Sequence, residues 1–259
     1  MPALNLRITW SVPMSEPNKI VVGSSDELQD PSNRRAFLKL MAVGGAIVFL
    51  PSMIQGCSDD DGGLTGPGTG NTVTIDFSRG DIAVLQFAYA LEQLEADFYT
   101  RVTENYTGSD LTAADQAVLT DIKYHEVIHR DFLKQALGAN ASFTLTPTYP
   151  NVNFKSRTSV LQTAKTFEFL GVAAYNGAGQ YLTSLEYLLV AGKIVSVEAR
   201  HASTIADLLA PKTNAFAPKP FEDAFSVGKV AMSAQAFIVD KLTLANPPTT
   251  FVQGPNNNG

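Results

Sequence analysis

The chain has 259 residues, of which 45% are hydrophobic, and this supplies enough apolar side chain for one or two domains with a sizeable core. Its formal net charge of -6 at pH 7 argues against a nucleic-acid-binding role, which needs concentrated basic surface. A single cysteine excludes both a disulfide framework and a Cys-x-x-Cys metal or redox module.

The N-terminal part of the chain carries the features of an export signal. A basic pair, Arg34 and Arg35, stands before Phe-Leu-Lys and an apolar run at residues 40–54. This pattern resembles a twin-arginine signal, which implies the twin-arginine translocation machinery as a partner. A transmembrane anchor is the alternative, but the run is shorter than the roughly 20 residues that a spanning helix needs. The long segment before the arginines leaves Met1 and Met14 open as the start.

Cys57 ends a second motif, Ile-Gln-Gly-Cys, which resembles a lipobox. In that pattern the cysteine is acylated, so the resemblance implies a membrane-tethered lipoprotein in the periplasm or on the cell surface. A free thiol in an ordinary signal is the alternative, because Gln55 is not typical of its position. Residues 1–57 are therefore interpreted as the export signal, and the Asp-, Gly- and Thr-rich residues 58–76 as a flexible tether.

Residues 77–245 are predicted to form an all-α domain, and residues 246–259 a loose tail. Five segments have helical periodicity or helix start and stop signals, at about residues 78 or 81 to 103, 111–137, 158–176, 182–209 and 222–242. Residues 139–157 are predicted to be extended, and at ~60 Å they are long enough to run back along a helical bundle. No β-rich region is visible.

Two of these helices carry the sequence Glu-x-x-His, at Glu126–His129 and at Glu198–His201. Three residues turn a helix by about 300°, so each glutamate lies on the same face as its histidine. A carboxylate and an imidazole on one face can bind a transition-metal ion. The apolar faces of the first and third helices add one glutamate each, Glu92 and Glu168.

Along the chain the order is Glu, Glu-x-x-His, Glu, Glu-x-x-His, with the long connection in the middle. This order resembles the ferritin-like superfamily. The motifs at residues 91–99 and 198–201 look like those of the bacterial ferritin-like domain group that is related to plant desiccation-associated proteins. The resemblance covers about residues 77–210. It implies a four-helix bundle with a long crossover between helices two and three, followed here by a shorter fifth helix.

The expected site is a dinuclear metal centre. Four carboxylates can neutralise two divalent cations, and two imidazoles favour iron or manganese over magnesium and calcium. The expected cofactor is therefore two iron ions, or iron with manganese. The six expected ligands are Glu126, His129, Glu198 and His201, which hold the metals, and Glu92 and Glu168, which complete or bridge them.

Glu95 lies one helical turn from Glu92 and is an alternative ligand or a nearby proton acceptor. Glu92 is preferred, because its spacing to Tyr99 matches the first helices of ferritin-like proteins. Tyr99, Tyr124 and Tyr175 are expected near the metals, more as core residues than as redox partners.

Two functions are compatible with this pattern, and it leaves open whether the protein is an enzyme. The first is an exported di-iron or iron–manganese protein that reacts with dioxygen or peroxide, as a ferroxidase or in oxidative stress. The second is a stress- or desiccation-related helical protein of the cell envelope, whose metal site is structural or vestigial. The lack of a rubredoxin-like cysteine module weakens the case for multi-turnover redox catalysis. A homodimer is compatible with both functions.

Overall fold

A computed structural model of the chain describes residues 70–254, and the signal, lipidation and tail features at Arg34, Arg35, Cys57 and 255–259 lie outside this range. The elements are β1 Thr72–Asp76, α1 Asp81–Glu104, α2 Ala113–Leu137, α3 Arg157–Ala178, α4 Leu185–Leu209, α5 Val227–Ala234 and β2 Lys241–Ala245. The mostly helical fold is as predicted. Within residues 70–254 no helix combines the length and apolar character needed to cross a bilayer.

The four long helices form two antiparallel hairpins that pack against each other. In the α1–α2 hairpin, Gln86 near the start of α1 donates to the carbonyl of Asn140, just beyond the end of α2, at 2.7 Å. In the α3–α4 hairpin, Arg157 at the start of α3 donates to the carbonyl of Leu208, at the end of α4, at 3.0 Å. Because α1 also contacts α3 and α2 contacts α4, the helices enclose one core.

The connection from α2 to α3 runs the length of the bundle, as predicted. It leaves α2 beside the start of α1 and reaches the opposite end, where the Lys155 carbonyl accepts from the Asp110 amide at 3.0 Å. On the way, the buried Tyr149 donates from its hydroxyl to the Leu94 carbonyl of α1 at 3.0 Å. The crossover therefore covers α1 and contributes to the core.

The start of α2 is fixed by a capping box. Thr112 accepts from the Asp115 amide at 3.1 Å, and the Asp115 carboxylate accepts from the Thr112 amide at 2.9 Å. The same carboxylate accepts two hydrogen bonds from Arg157, at 2.8 and 2.9 Å. Since Arg157 also binds the end of α4, this network joins three helices at one end of the bundle.

A short parallel sheet is the main difference from the predicted elements. Residues 72–76, inside the predicted tether, form β1, which pairs with β2 from Thr72 opposite Lys241 to Asp76 opposite Ala245. Val73 and Ile75 are buried between exposed neighbours, which is the alternation of a half-buried strand. The partner strand is 169 residues away, and a local pattern does not reveal such a pairing.

The fifth helix is also shorter than the predicted 222–242. α5 has eight residues, and a single 3-10 turn at Gln235–Phe237 leads from it into β2. Gln235 explains the change of direction, because its side chain donates to the carbonyls of Ile238 and Asp240 and accepts from the Leu242 amide. These bonds replace the hydrogen bonds that a continued helix would make.

Candidate metal centre

The six predicted ligands meet in the middle of the bundle, each on the inward face of its helix. The side chains of Glu92, Glu126, Glu168 and Glu198 are 0% exposed, and His201 is 5% exposed. His129 has 12% of its side chain exposed. These four are therefore not ordinary surface glutamates, and glutamate is rarely buried without a partner.

The six side chains form two overlapping groups, and within each group the candidate ligand atoms lie within 4.8 Å of one another. The first group is Glu92, Glu126, His129 and Glu198, and the second is Glu126, Glu168, Glu198 and His201. Glu126 and Glu198 belong to both groups. The geometry therefore favours these two as shared carboxylates, with Glu92 and Glu168 completing one group each rather than bridging.

Both histidines present their Nδ1 atoms to the carboxylates. His129 Nδ1 lies 2.9 Å from Glu198 Oε1 and 3.5 Å from Glu126 Oε2. His201 Nδ1 lies 2.8 Å from Glu126 Oε1 and 3.3 Å from Glu168 Oε2. Despite these distances, both Nδ1 atoms and all four oxygens of Glu126 and Glu198 lack a partner with hydrogen-bond geometry.

Such unsatisfied buried atoms need a compensating group, and a metal ion is a suitable one. Nitrogen and oxygen donors converge on a common space rather than on each other, as the ligands of one ion do. The donor set of four carboxylates and two imidazoles suits iron, manganese or a similar transition metal. The residues present therefore fit the metal that the pattern implies.

Burial and mutual charge shift the pKa values of the cluster in opposite directions. Burial raises the pKa of Glu198, and the charges of Glu126 and Glu92 raise it further. Burial also raises the pKa of Glu126, but contacts with the two histidines more than offset this and leave it at about 2. Burial lowers the pKa values of His129 and His201, while their carboxylate contacts raise them to about 12 and about 10. The carboxylates therefore favour the protonated form of both imidazoles in the metal-free protein, and a bound metal would displace those protons.

Two tyrosines hold the carboxylates that belong to one group only. Tyr175 donates to Glu92 Oε1 at 2.6 Å, and Tyr99 donates to Glu168 Oε1. These two side chains lie at the centre, as expected. The expectation for Tyr124 is wrong, since its side chain points outward and the residue is 55% exposed.

Glu95 is a further buried glutamate beside the cluster, but it belongs to neither group. Burial raises its pKa, and the charge of Glu198 raises it further. Glu95 and Glu198 both approach Gly171 of α3, where a Cβ atom would lie 3.1 Å from Glu95 Oε1 and 3.5 Å from Glu198 Oε2. Glycine at this position therefore leaves space for the two carboxylates, and Glu92 is the first-helix residue that joins the ligands.

The third histidine of the chain also takes part in the site. His125 lies at the surface of α2, and its Nδ1 is 2.9 Å from Nε2 of His201, with the two rings stacked at an angle of 9°. This contact fixes the imidazole whose other nitrogen faces the carboxylates. A cleft of about 350 Å³ between α2 and α4 is lined by His125, His129 and His201. His201, the partner of His125, is 76 residues away in the chain, so this contact emerges only from the fold.

Comparison with known proteins agrees with this geometry. A family model described as a ferritin-like domain matches residues 80–211, a span that includes α1 to α4 and all six ligand positions. No curated protein sequence matches the chain.

Proposed function

Because the chain belongs to the ferritin-like domain family, we propose that it is a dinuclear metal protein, with two iron ions or iron and manganese, that reacts with dioxygen or peroxide. One observation carries the proposal: two buried groups of nitrogen and oxygen donors overlap in Glu126 and Glu198. A single ion would need only one such group. Four carboxylates also balance the charge of two divalent cations.

Each residue of the site has a separate part in this function. Glu92 and His129 would hold one ion, Glu168 and His201 the other, and Glu126 and Glu198 both. When bound, such ions supply Lewis acidity and redox change for the reaction with dioxygen or peroxide. The protein orients the donors in advance, since Tyr175, Tyr99 and His125 hold Glu92, Glu168 and His201 respectively.

The cleft between α2 and α4 gives the centre an opening to solvent. His129 and His201 line it together with the charged side chains of Asp121 and Arg200. These polar side chains, in an otherwise mostly apolar lining, offer hydrogen-bonding partners to hydrated cations and to hydrogen peroxide as they enter.

The reaction is tested by loading the protein with ferrous iron without oxygen and then adding dioxygen or peroxide. We expect iron oxidation to be faster than for free ferrous iron, and Glu126→Gln to lose this acceleration. The control is Glu104→Gln, at the exposed last position of α1 and outside the cluster. A wild-type protein that binds iron but accelerates neither reaction would contradict the proposed function.

The location of the protein is part of the proposal. Arg34, Arg35 and Cys57 support export by the twin-arginine route and a lipid tether to the membrane. That route moves folded proteins, so the metal would be bound before export and away from copper and zinc, which such sites bind more tightly. Cys57→Ser should release the protein from the membrane fraction, and lysine at both 34 and 35 should leave it in the cytoplasm.

A homodimer is also proposed, on the basis of α2. Tyr124, Ile128 and Phe132 recur every four residues and are all exposed, so they form an apolar stripe on one face. Such stripes mark contact surfaces. Light scattering on the wild type and on Ile128→Lys tests it, with a monomeric wild type as the contradicting result.

The second candidate is a stress- or desiccation-related protein of the envelope in which the site is structural or vestigial. The observation in its favour is that the carboxylates raise the pKa values of His129 and His201, so that protonated imidazoles can offset part of the carboxylate charge without metal. This candidate predicts a folded protein with no turnover. The oxidation experiment above therefore separates the two functions.

A further inference from the structure

A small apolar cavity lies between the four long helices, on the side of the carboxylate cluster towards the end at which α1 and α4 begin, and it is partly open at the surface beside the exposed Phe132. It has a volume of about 30 Å³ and is lined by all four long helices. The side chains that define this apolar cavity here are Ala88, Leu91, Leu133, Ala174, Ala191 and Ile194. The proposed function assigns it no part.

The cavity is adjacent to one half of the metal centre. On three helices a cavity residue lies four positions from a ligand, which is about one turn, or roughly 5.4 Å along the axis. The pairs are Ala88 and Glu92 on α1, Leu133 and His129 on α2, and Ile194 and Glu198 on α4. All three ligands belong to the group that contains Glu92 and His129, so the cavity ends against that group.

Tyr175 forms the boundary between the cavity and the ligands. Its side chain lines the cavity, and its hydroxyl donates to Glu92 Oε1 at 2.6 Å. That hydroxyl is therefore engaged on the ligand side. A buried water needs two to four polar partners, which apolar walls do not offer, and apolar cavities stay dry and take up small apolar molecules.

The volume restricts what the cavity can hold. About 30 Å³ exceeds the roughly 10–15 Å³ that a single water molecule requires, and it is well below the roughly 150 Å³ of an engineered cavity that binds benzene. A hydrocarbon chain does not fit without displacing side chains. A diatomic gas does.

We propose that the apolar cavity binds dioxygen next to the Glu92–His129 half of the metal centre. The inference rests on the proposed function and selects dioxygen as the molecule that arrives by this path. Dioxygen is small and apolar, so the cavity suits it better than water does. Hydrogen peroxide needs hydrogen-bonding partners and would instead enter by the cleft at His125, where imidazole and charged side chains offer them.

Xenon, which binds in apolar protein cavities, tests the binding site on wild-type protein without reference to activity. We expect a xenon titration followed by methyl NMR to shift the signals of Leu133 and Ile194, and a crystal under xenon pressure to show one atom between them. An ordered water molecule in the cavity, or xenon bound only elsewhere, would overturn the proposal.

A matched pair of variants tests the link to dioxygen. Ala191→Leu fills the cavity, whereas Ala136→Leu makes the same change at a half-buried position of α2 outside it. With iron loaded, Ala191→Leu should lose the xenon shifts and react more slowly with dioxygen but not with peroxide, and Ala136→Leu should match the wild type. Melting temperatures establish whether both variants fold. If Ala191→Leu does not fold, the xenon experiment on wild-type protein still tests the proposal.

The outcomes separate the two proposals. If wild-type protein reacts with dioxygen and the filled variant reacts equally fast, the cavity inference fails and the proposed function stands. If iron-loaded wild type reacts with peroxide but not with dioxygen, the cavity has no dioxygen to supply and the inference fails alone. If it reacts with neither, both fail.

Discussion

At the scale of single residues, three of the candidate ligands are each held by a side chain outside the ligand set. Tyr175 and Tyr99 donate to Glu92 and Glu168, and His125 contacts His201. Each partner occupies the side of the ligand that faces away from the shared space. A ligand held in this way loses less conformational entropy when the metal binds, so the partners should affect metal affinity more than stability.

The contact between His125 and His201 gives the first prediction. His125→Ala should lower metal affinity by roughly 10–100-fold, because the ring of His201 is no longer fixed. Stability should change little, since His125 is exposed. Competition with a chelator measures the affinity. Tyr124→Ala, exposed on the same helix, is the control, and equal affinity in the two variants would show that His125 has no positioning role.

Gly171 gives the second prediction. In Gly171→Ala the new Cβ would lie 3.1 Å from Glu95 Oε1, so Glu95 and the neighbouring Glu198 must shift. We expect weaker metal binding. Gly192→Ala on α4 is the control, because a Cβ there meets nothing within 4 Å and should only add helix stability of about 0.5–1 kcal/mol. Titration calorimetry measures the metal affinity of both variants. An unchanged affinity in Gly171→Ala would show that the added Cβ does not displace Glu95 and Glu198.

The Asp115–Arg157 network is the main connection at the scale of elements, because it joins the starts of α2 and α3 to the end of α4. The Arg157 hydrogen bonds lower the pKa of Asp115 from its ordinary 3.8 to about 2. A carboxyl with a depressed pKa in the folded state stabilises the protein above the unfolded pKa. That contribution is lost as the pH falls from about 4 to about 2.

Asp115→Asn should therefore lower the free energy of unfolding at pH 7 by about 1–2 kcal/mol, a range that allows for the solvent around Arg157. The difference from wild type should shrink as the pH falls towards 2. Urea unfolding of the metal-free proteins at several pH values measures it. Asp121→Asn, exposed on α2, is the control. A difference that does not depend on pH would show that the charge of Asp115 does not carry the effect.

The helices were predictable from the sequence and the strands were not, for a physical reason. The periodicity, caps and glycine stops of α1 to α4 are local signals, and the predicted bounds agree with the structure to within about three residues. The pairing of β1 with β2 depends on residues 169 positions apart. The end of α5 depends on Gln235, whose side chain hydrogen-bonds to the backbone of Asp240 and Leu242. The periodicity of the sequence instead predicted a helix that continues to residue 242.

The same distinction applies to the site. Glu-x-x-His is a local pattern, and the apolar faces of the helices identified Glu92 and Glu168, so the sequence pointed to all six residues that the fold brings together as candidate ligands. The roles of His125 and Gly171 depend on contacts between helices, with His201 on α4 and with Glu95 on α1. Which carboxylates are shared also follows only from the packing.

For the whole molecule, the centre is a cluster of charge inside an apolar bundle. Without metal, the raised pKa values of Glu92, Glu95, Glu168 and Glu198 show that burial disfavours their ionised forms. Bound cations would remove this cost and link all four helices. Metal removal should therefore weaken the bundle as a whole rather than one element.

This gives the fourth prediction. A chelator should lower the melting temperature of the metal-loaded wild type, because a ligand present at a thousand times its dissociation constant stabilises the folded state by about 4 kcal/mol. The double variant Glu126→Ala, Glu198→Ala should not respond to the chelator, since it lacks the shared carboxylates. Calorimetry on both proteins tests this, and an equal response in the two would place the bound metal elsewhere.

Metal content tests the central claim most directly. Tag-free protein purified without added metal should be compared with Glu126→Ala and Glu198→Ala by elemental analysis. The account predicts about two iron or manganese ions per chain, lost in both variants because each removes a carboxylate that both ions share. A well-folded helical protein without bound transition metal, or a content that either substitution leaves unchanged, would contradict it.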